Sequence, residues 1–530
     1  MLERWNPPVE INPEEEKILK RCQKQKLWRF FRLYRHQIFD ETTWQKLRSM
    51  YAKSGRGDAK PPEMMALALL LQVTFHIPDH EVPALTACDR RWRMVLDALN
   101  APMDEELFCQ GSVFNFRERA RTHGFMSFLL DRTVELARTT KGFSHKHLRA
   151  MIDSSPLVGA GRIEDTFNLL GRAIGQLVDA SAKKTGQTSA QIASQLELTV
   201  VSHKSVKAAL DLDWRLPDAK NQALGILVQQ FQRLRKWLQE QLTAQELQAP
   251  PVGESLAQVE RLLEQDIEPD PHDPTGAGHR LKQGGSDRQI SLSDPDMRHG
   301  RKSKTQAFAG YKRHIMMDGD VRGLVVGVEV LAGNVTEHEG AAPLVESAEN
   351  RGYVLDEAHV DRGYWASESL QERRSEGLRL VSKPPSPRRR PERLSKADFD
   401  LNLVEGTATC PNGKTVEIRQ GSSGQTASFL GSLCGDCPLK SQCLNKRGRR
   451  VLKLHANEAL HQQMSAELAT PEGRQARRER VQVEHGLARL GDIQGTKARY
   501  RGLEKNQAHT EACAVIANLH VLNHLWSDAA

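Results

Sequence analysis

The sequence predicts an α/β protein in which a mixed sheet is preceded by an all-α domain and interrupted by a helical insertion. Apolar residues recur at helical spacing through residues 1–145, which indicates a group of packed helices. Short apolar segments typical of buried strands begin at 147–158 and return after residue 307. Between them, residues 160–265 carry amphipathic patterns rich in Ala, Gln and Leu, so we expect helices inserted within the sheet.

The predicted elements place carboxylates on separate parts of the core. Asp153 lies near the end of the first core strand, and Asp361 directly follows the apolar strand 355–360. Glu484 lies close beside the apolar stripe of a charged helix expected over 470–490. Two aspartates are thus expected at the ends of two strands of one mixed sheet.

These patterns divide the chain into six segments. They are a helical amino-terminal domain of a size suited to DNA binding (1–145), the first core strand (146–159), a helical insertion with a flexible linker (160–290), the main part of the core (291–385), a basic insertion that contains cysteines (386–455) and carboxy-terminal helices that complete the core (456–530).

Composition and charge narrow the class of protein. Of the 530 residues 39% are hydrophobic and 27% are charged, which is ordinary for a globular protein. Lys and Arg outnumber Asp and Glu by 75 to 67, and the resulting net charge of +8 suits a polyanionic partner. The last third of the chain holds three basic clusters, which favour nucleic acid: Arg388, Arg389, Arg390 and Arg393; Lys446, Arg447, Arg449, Arg450 and Lys453; Arg474, Arg477, Arg478 and Arg480.

The eight cysteines do not form the pattern of a disulfide framework, and the first residues lack the pattern of a signal peptide. No apolar segment is long enough for a membrane span, so we expect a cytoplasmic protein. Four cysteines fall inside the basic insertion with spacing that suits a closed tetrahedral zinc site. These predicted structural zinc ligands are Cys410, Cys434, Cys437 and Cys443.

Three segments carry a resemblance to a known family. They are AMIDSSPL around Asp153, SDPDMRHGRKSKTQAFAGYKRHIMMD at 293–318 and HVDRGYW around Asp361. Together they resemble the DDE transposases of bacterial insertion sequences, which have an RNase H-like catalytic core. The resemblance covers about 148–158, 290–385 and 470–502, and residues 50–122 look like the helical domain often found with this core.

The resemblance implies that Asp153, Asp361 and Glu484 are the catalytic residues and hold Mg²⁺ or Mn²⁺. Two such ions can activate the attacking oxygen and stabilise the leaving oxygen of a phosphodiester. The structural alternatives are a cap on the Ser-Ser-Pro turn for Asp153 and an ion pair with Arg362 for Asp361.

Glu484 matches only part of the family's signature. Arg480 and Glu484 fit its Arg-x-x-x-Glu part, whereas the tyrosine position holds Arg477 and the lysine position holds Gly491. Lys497 is the nearest replacement for that lysine. Among charged residues of the same region, Glu472 and Glu479 are competitors for the catalytic role.

Basic and aromatic residues beside these motifs are predicted to contact DNA. For Tyr311 and His314, a place in the core is an equal alternative, and Asp296 is expected to pair with Arg298. The predicted DNA-binding residues are Arg298, Lys302, Lys304, Tyr311, Lys312, Arg362, Arg477, Arg480 and Lys497.

The resemblance implies a transposase that binds the terminal inverted repeats of its element, cleaves DNA strands and joins them to target DNA. Double-stranded DNA is then the partner, and a homodimer or higher oligomer is expected because two ends are handled together. Two alternatives remain: an RNase H-like nuclease that does not join strands, and a DNA-binding protein descended from a transposase whose site has decayed.

Overall fold

The structure is a computed structural model that describes residues 4–51, 60–102, 104–144, 146–216, 218–273, 278–285, 287–383, 393–421, 424–445 and 448–527. Several members of the predicted basic clusters lie outside these ranges, namely Arg388, Arg389, Arg390, Lys446 and Arg447. In the described part of the chain, no helix combines the length and apolar character needed to cross a bilayer.

The amino-terminal region is helical, as the apolar periodicity predicts. Its helices are α1 (Pro13–Arg21), α2 (Lys26–Ile38), α3 (Glu41–Ser49), α4 (Pro62–Thr74), α5 (Val82–Cys88), α6 (Arg90–Val95), α7 (Gln110–Thr122) and α8 (Phe125–Thr140). Helix α4 is buried on almost every side because its sequence is apolar all round. Asn12 begins α1 with a capping box that includes Glu15, and Asp40 caps α3.

The central sheet is mixed, which confirms the predicted α/β class. After β1 (His147–Val158) and the insertion, its elements are β4 (Arg298–Arg301), β5 (Ala307–Asp318), β6 (Val325–Ala332), α15 (Glu337–Asn350), β7 (Val354–Val360), α16 (Glu368–Ser375) and β8 (Arg379–Val381). The strand order is β6–β5–β1–β7–β8, and β4 pairs with the other half of β5. Strands β1, β5 and β6 are antiparallel, whereas β7 and β8 run parallel to β1. This arrangement is consistent with an RNase H-like core.

The predicted insertion follows β1 and packs around its own apolar core. It contains α9 (Thr166–Thr185), α10 (Ser189–Gln195), α11 (Val206–Ala209), α12 (Ala219–Gln241), α13 (Ala244–Gln248), α14 (Val252–Asp266), β2 (Ile267–Pro269) and β3 (His279–Leu281). Strands β2 and β3 pair antiparallel. The segment predicted as a linker therefore contains two short paired strands, whose length gives little periodicity in the sequence.

The cysteine-containing insertion forms a second, antiparallel sheet that the sequence did not predict. Its elements are β9 (Asp400–Asn402), β10 (Thr407–Thr409), β11 (Thr415–Gly421), β12 (Gly424–Phe429), α17 (Lys440–Cys443) and β13 (Arg450–Lys453). The strands follow one another in space in chain order. A small core that includes Phe399, Phe429 and Leu452 lies beneath them.

Four helices close the structure: α18 (Glu458–Ala469), α19 (Pro471–Glu479), α20 (Val481–Gln494) and α21 (Leu503–Ser527). The single helix predicted over 470–490 is divided at Arg480, whose backbone stays in the right-handed helical region. The middle of helix α21, from Ala512 to Leu519, is buried, and the helix packs against the amino-terminal helices and β6. The amino-terminal helices and the central sheet consequently share one hydrophobic core.

Candidate active site

The parallel pairing of β1 and β7 brings the two aspartates to the same end of the sheet. Ile152 is in register with Val360, the last residue of β7, so that Asp153 and Asp361 each follow a residue of the same pair. The sequence predicted Asp153 near the end of its strand, but it lies in the middle of β1. Strand β1 continues to Val158, and Asp153 is paired with Ile315 of β5. The strand that ends at this level is β7, whose last residue, Val360, pairs with Ile152. Beyond it, Asp153 has no paired residue of β7 beside it.

Glu484 reaches the same region from helix α20, in its first turn. The helix packs against β1 and β5, and it approaches β5 closely at Gly486. A Cβ atom at that glycine would overlap the sulfur of Met317, so a larger residue would push the helix away from the sheet. The close approach therefore fixes the position of the turn that carries Glu484.

Arg480 connects all three carboxylates. Its Nη2 donates a hydrogen bond to Oδ2 of Asp153 at 3.0 Å and lies 3.9 Å from Oδ1 of Asp361. Its Nη1 lies 3.7 Å from Oε1 of Glu484, four residues further along. The structure thus gathers the three predicted catalytic residues around one guanidinium group.

The competing glutamates have other surroundings. Glu479 accepts a hydrogen bond from Arg149 at 2.8 Å. This ion pair lowers the pKa of Glu479. Glu472 lies exposed in the first turn of α19. The geometry therefore favours Glu484 for the catalytic position.

Burial distinguishes Asp153 from the other two carboxylates. Its side chain is 15% exposed, compared with 49% for Asp361 and 61% for Glu484. The pKa of Asp153 is raised to about 6, chiefly by burial and in part by the nearby charges of Asp361 and Glu337, while Arg480 and the Ser154 amide act to lower it. A cation beside Asp153 would favour its ionised form.

Glu337 is a fourth acidic residue of the site, and the sequence analysis missed it. Its Oε1 accepts a hydrogen bond from the Ser154 hydroxyl at 3.0 Å, next to Asp153. Its other oxygen lies so close to Gly363 that a side chain there would overlap it. Helix α15 begins at Glu337 because Thr336 caps it. In the sequence, Glu337 is only one of two acidic residues in the first turn of a helix, which has a structural explanation.

A buried polar pair lies behind these residues. His314 Nδ1 is 2.7 Å from the Tyr364 hydroxyl, and both side chains are fully buried. Burial lowers the pKa of His314 to about 3, so its imidazole is neutral. His314 is therefore a core residue, which decides between the two alternatives that the sequence left open.

The donor chemistry of the site fits a divalent metal. Within the described ranges, no three His, Cys, Asp or Glu side chains are arranged as a formed metal site. Nevertheless, three carboxylates from separate elements already surround one cationic group. Mg²⁺ and Mn²⁺ prefer such hard oxygen ligands. Asp153, Asp361 and Glu484 are thus suited to hold either ion.

Three predicted DNA-binding residues are buried, and this corrects the prediction for them. The Tyr311 hydroxyl donates a hydrogen bond to Asp294 within the core, and Lys312 Nζ donates one to the Val335 carbonyl. Arg298 is buried and pairs with Asp287 at 2.6 Å, not with Asp296. Arg298 lies on the buried face of β4, whereas β5 is buried on both faces around Tyr311 and Lys312, and residue type alone did not reveal this.

Five other predicted DNA contacts are exposed, and the sixth, Arg480, is paired with Asp153. Lys302 and Lys304 lie in the exposed turn between β4 and β5, and Arg362 follows Asp361 on the surface. Arg477 is exposed on α19. Lys497 is exposed beside the end of β1, where the neighbouring backbone pairs with Val158. These five cations lie on different elements of the described structure.

The four predicted zinc ligands lie together. Cys410, Cys434, Cys437 and Cys443 line one small cavity beneath the second sheet, and none forms a disulfide. Burial raises the pKa of Cys434 and of Cys443, and the neighbouring thiols contribute in the same direction. Zn²⁺ binds such thiols as thiolates, and the four cysteines line one cavity, although within the described residues they are not arranged as a formed metal site.

The mixed sheet, with carboxylates from separate elements beside it, is consistent with an RNase H-like core. A family model described as a transposase DDE domain matches residues 409–523, a segment that includes Glu484 and the four cysteines. Over these residues the chain is similar to DDE transposases. Neither the curated proteins nor the solved structures gave a match.

Proposed function

We propose that the protein cleaves DNA strands at the terminal inverted repeats of a bacterial insertion sequence and joins the freed ends to target DNA. The observation that carries this proposal is the convergence of Asp153, Asp361 and Glu484 on one cation, Arg480. The match to a transposase DDE domain supports it independently.

Asp153, Asp361 and Glu484 would hold Mg²⁺ or Mn²⁺. The metal supplies a stronger nucleophile and neutralises charge on the reacting phosphate. The fold determines the positions of these ligands. The register of β1 with β7 positions the two aspartates, and the close contact of α20 with β5 positions the glutamate. A rigid set of ligands is what in-line attack on a phosphodiester requires.

Cleavage and joining can use the same site because water and a 3′ hydroxyl are alternative nucleophiles for one displacement. The exposed cations Lys302, Lys304, Arg362 and Lys497 would hold DNA phosphates around the carboxylates. Since two element ends react together, we expect a dimer or higher oligomer on DNA.

For the second sheet we propose a structural zinc ion bound by the four cysteines. This sheet has only a small apolar core, and a metal site would contribute to its folding free energy. The cavity lined by all four thiols supports the assignment.

A strand-transfer assay separates the candidate functions. Duplexes that carry the inverted repeats flanking the gene are supplied either intact or already cut, with Mg²⁺ and a target plasmid. A transposase cuts the intact ends and joins the pre-cut ends. Cutting without joining would identify a nuclease, and binding with neither reaction would identify a decayed DNA-binding protein.

The matched variants are Asp361→Asn and Asp356→Asn. Both aspartates belong to or follow strand β7, but Asp356 is exposed and contacts only His147 among the described partners. We expect the first variant to lose joining and the second to retain it.

A further inference from the structure

Arg480 lies where the negative charges of the site converge. Three carboxylates in one region repel one another, and only a cation between them makes that arrangement favourable. Among the described ion pairs, Arg480 is the cation that contacts all three. Its side chain is only 19% exposed, so it lies beneath the more accessible Asp361 and Glu484.

We propose that Arg480 is the internal counter-ion of the active site: it holds the three carboxylates together before metal binds, and divalent metal must displace it. The inference rests on the proposed function, because it takes these carboxylates as the metal ligands. It assigns Arg480 a role toward the metal that is distinct from a contact with DNA.

The contacts of Arg480 are suited to release. One is a hydrogen bond, to Asp153, and the separations of 3.9 Å and 3.7 Å from Asp361 and Glu484 are longer than a hydrogen bond. Its buried Nε has no hydrogen-bond partner among the described residues. The guanidinium is therefore held by charge more than by a full set of hydrogen bonds, and less is lost when it leaves.

The backbone permits this movement. Arg480 joins α19 to α20 with φ −56° and ψ −23°, which is ordinary helical geometry. A change of side-chain rotamer would withdraw the guanidinium while Glu484 stays on the next turn. The released group, still next to the carboxylates, would be free to contact a phosphate of bound DNA.

Competition between Arg480 and the metal has a measurable consequence. In the DNA-free protein, Arg480→Gln should bind Mn²⁺ more tightly than wild type, by about tenfold, because the ion no longer displaces a charge-assisted hydrogen bond. Arg480→Lys, which keeps a positive charge, should stay close to wild type. Calorimetric titration with Mn²⁺ at pH 8 measures all three affinities without relying on catalysis.

Arg477→Gln is the matched control, since Arg477 is exposed on the adjoining helix and has no described ion pair with the three carboxylates. It should leave the affinity unchanged. If Arg480→Gln bound Mn²⁺ as weakly as wild type, or more weakly, Arg480 would not be a competing counter-ion.

Asp361→Asn separates failure of this inference from failure of the proposed function. If wild type binds Mn²⁺ and Asp361→Asn does not, the metal site is present and the Arg480 variants decide the inference. If wild type binds no Mn²⁺, or Asp361→Asn binds it equally well, the metal-site assignment itself is wrong. Thermal unfolding of each variant shows that the chain remains folded.

Discussion

At the scale of single residues, the position of Asp153 explains much of the site. It is the most buried of the three carboxylates, and its surroundings include a hydroxyl, an amide and a guanidinium as well as other acids. Glu337 belongs to these surroundings through Ser154. We regard Glu337 as a positioning residue that holds the Ser154 segment of β1 in place.

Glu337→Gln should lower the rate of end cleavage by about tenfold, because it weakens a hydrogen bond to a charged group beside Asp153. DNA binding should be unchanged, and kcat rather than KM should carry the effect. The measurement is single-turnover cleavage in Mg²⁺. Glu346→Gln, an exposed change further along the same helix, is the control. Equal rates for the two variants would remove Glu337 from the site.

At the scale of elements, the register of β1 with β7 and the seating of α20 on β5 form the site together. The sequence predicted the strands and the carboxylates they carry because apolar segments mark buried strands. It misjudged where Asp153 lies along β1, since the end of a strand's pairing depends on its neighbour. It also could not show that Tyr311 faces the core, because β5 is buried on both sides and lacks alternation.

The second sheet was missed for a different physical reason. Its strands are short, and the residues of β11 are only half-buried or exposed, so no apolar alternation marks the strand in the sequence.

The small apolar core of the second sheet predicts that its stability depends on zinc. Wild type should contain one zinc ion per chain, and Cys437→Ser should lose it and lower the thermal stability of this sheet. Cys109→Ser, at an exposed cysteine outside the cavity, should retain the metal. Metal analysis after gel filtration tests this, and zinc-free wild type with unchanged unfolding would exclude a structural zinc.

At the scale of the whole molecule, the amino-terminal helices and the central sheet share one hydrophobic core, so we expect them to unfold together. Their shared core is supplemented by a buried ion pair between Arg138 of α8 and Asp318 of β5. Arg138 also donates hydrogen bonds to the carbonyls of Ser144 and His147, at the start of β1. Burial raises the pKa of Asp318, while Arg138 opposes that shift.

Removing one partner of this pair should destabilise the entire unit. Arg138→Met leaves a buried carboxylate uncompensated and should lower the free energy of unfolding by about 3–5 kcal/mol. Glu41→Gln, which removes an exposed ion pair with Arg4, should change it by less than about 1 kcal/mol. Urea unfolding measures both changes. A single cooperative transition is expected for the amino-terminal helices and the sheet, and separate transitions would show that they fold independently.

The central claim is that three carboxylates from distant parts of the chain form one metal-dependent cleavage site. Its most direct test is cleavage of the inverted-repeat duplex in Mg²⁺ by Asp153→Asn, Asp361→Asn and Glu484→Gln, with Glu479→Gln as the control. Each of the first three should lose about a hundredfold or more in rate while still binding the duplex, whereas the control should stay active. If any of these three variants cleaved the duplex at the wild-type rate, the account would be contradicted.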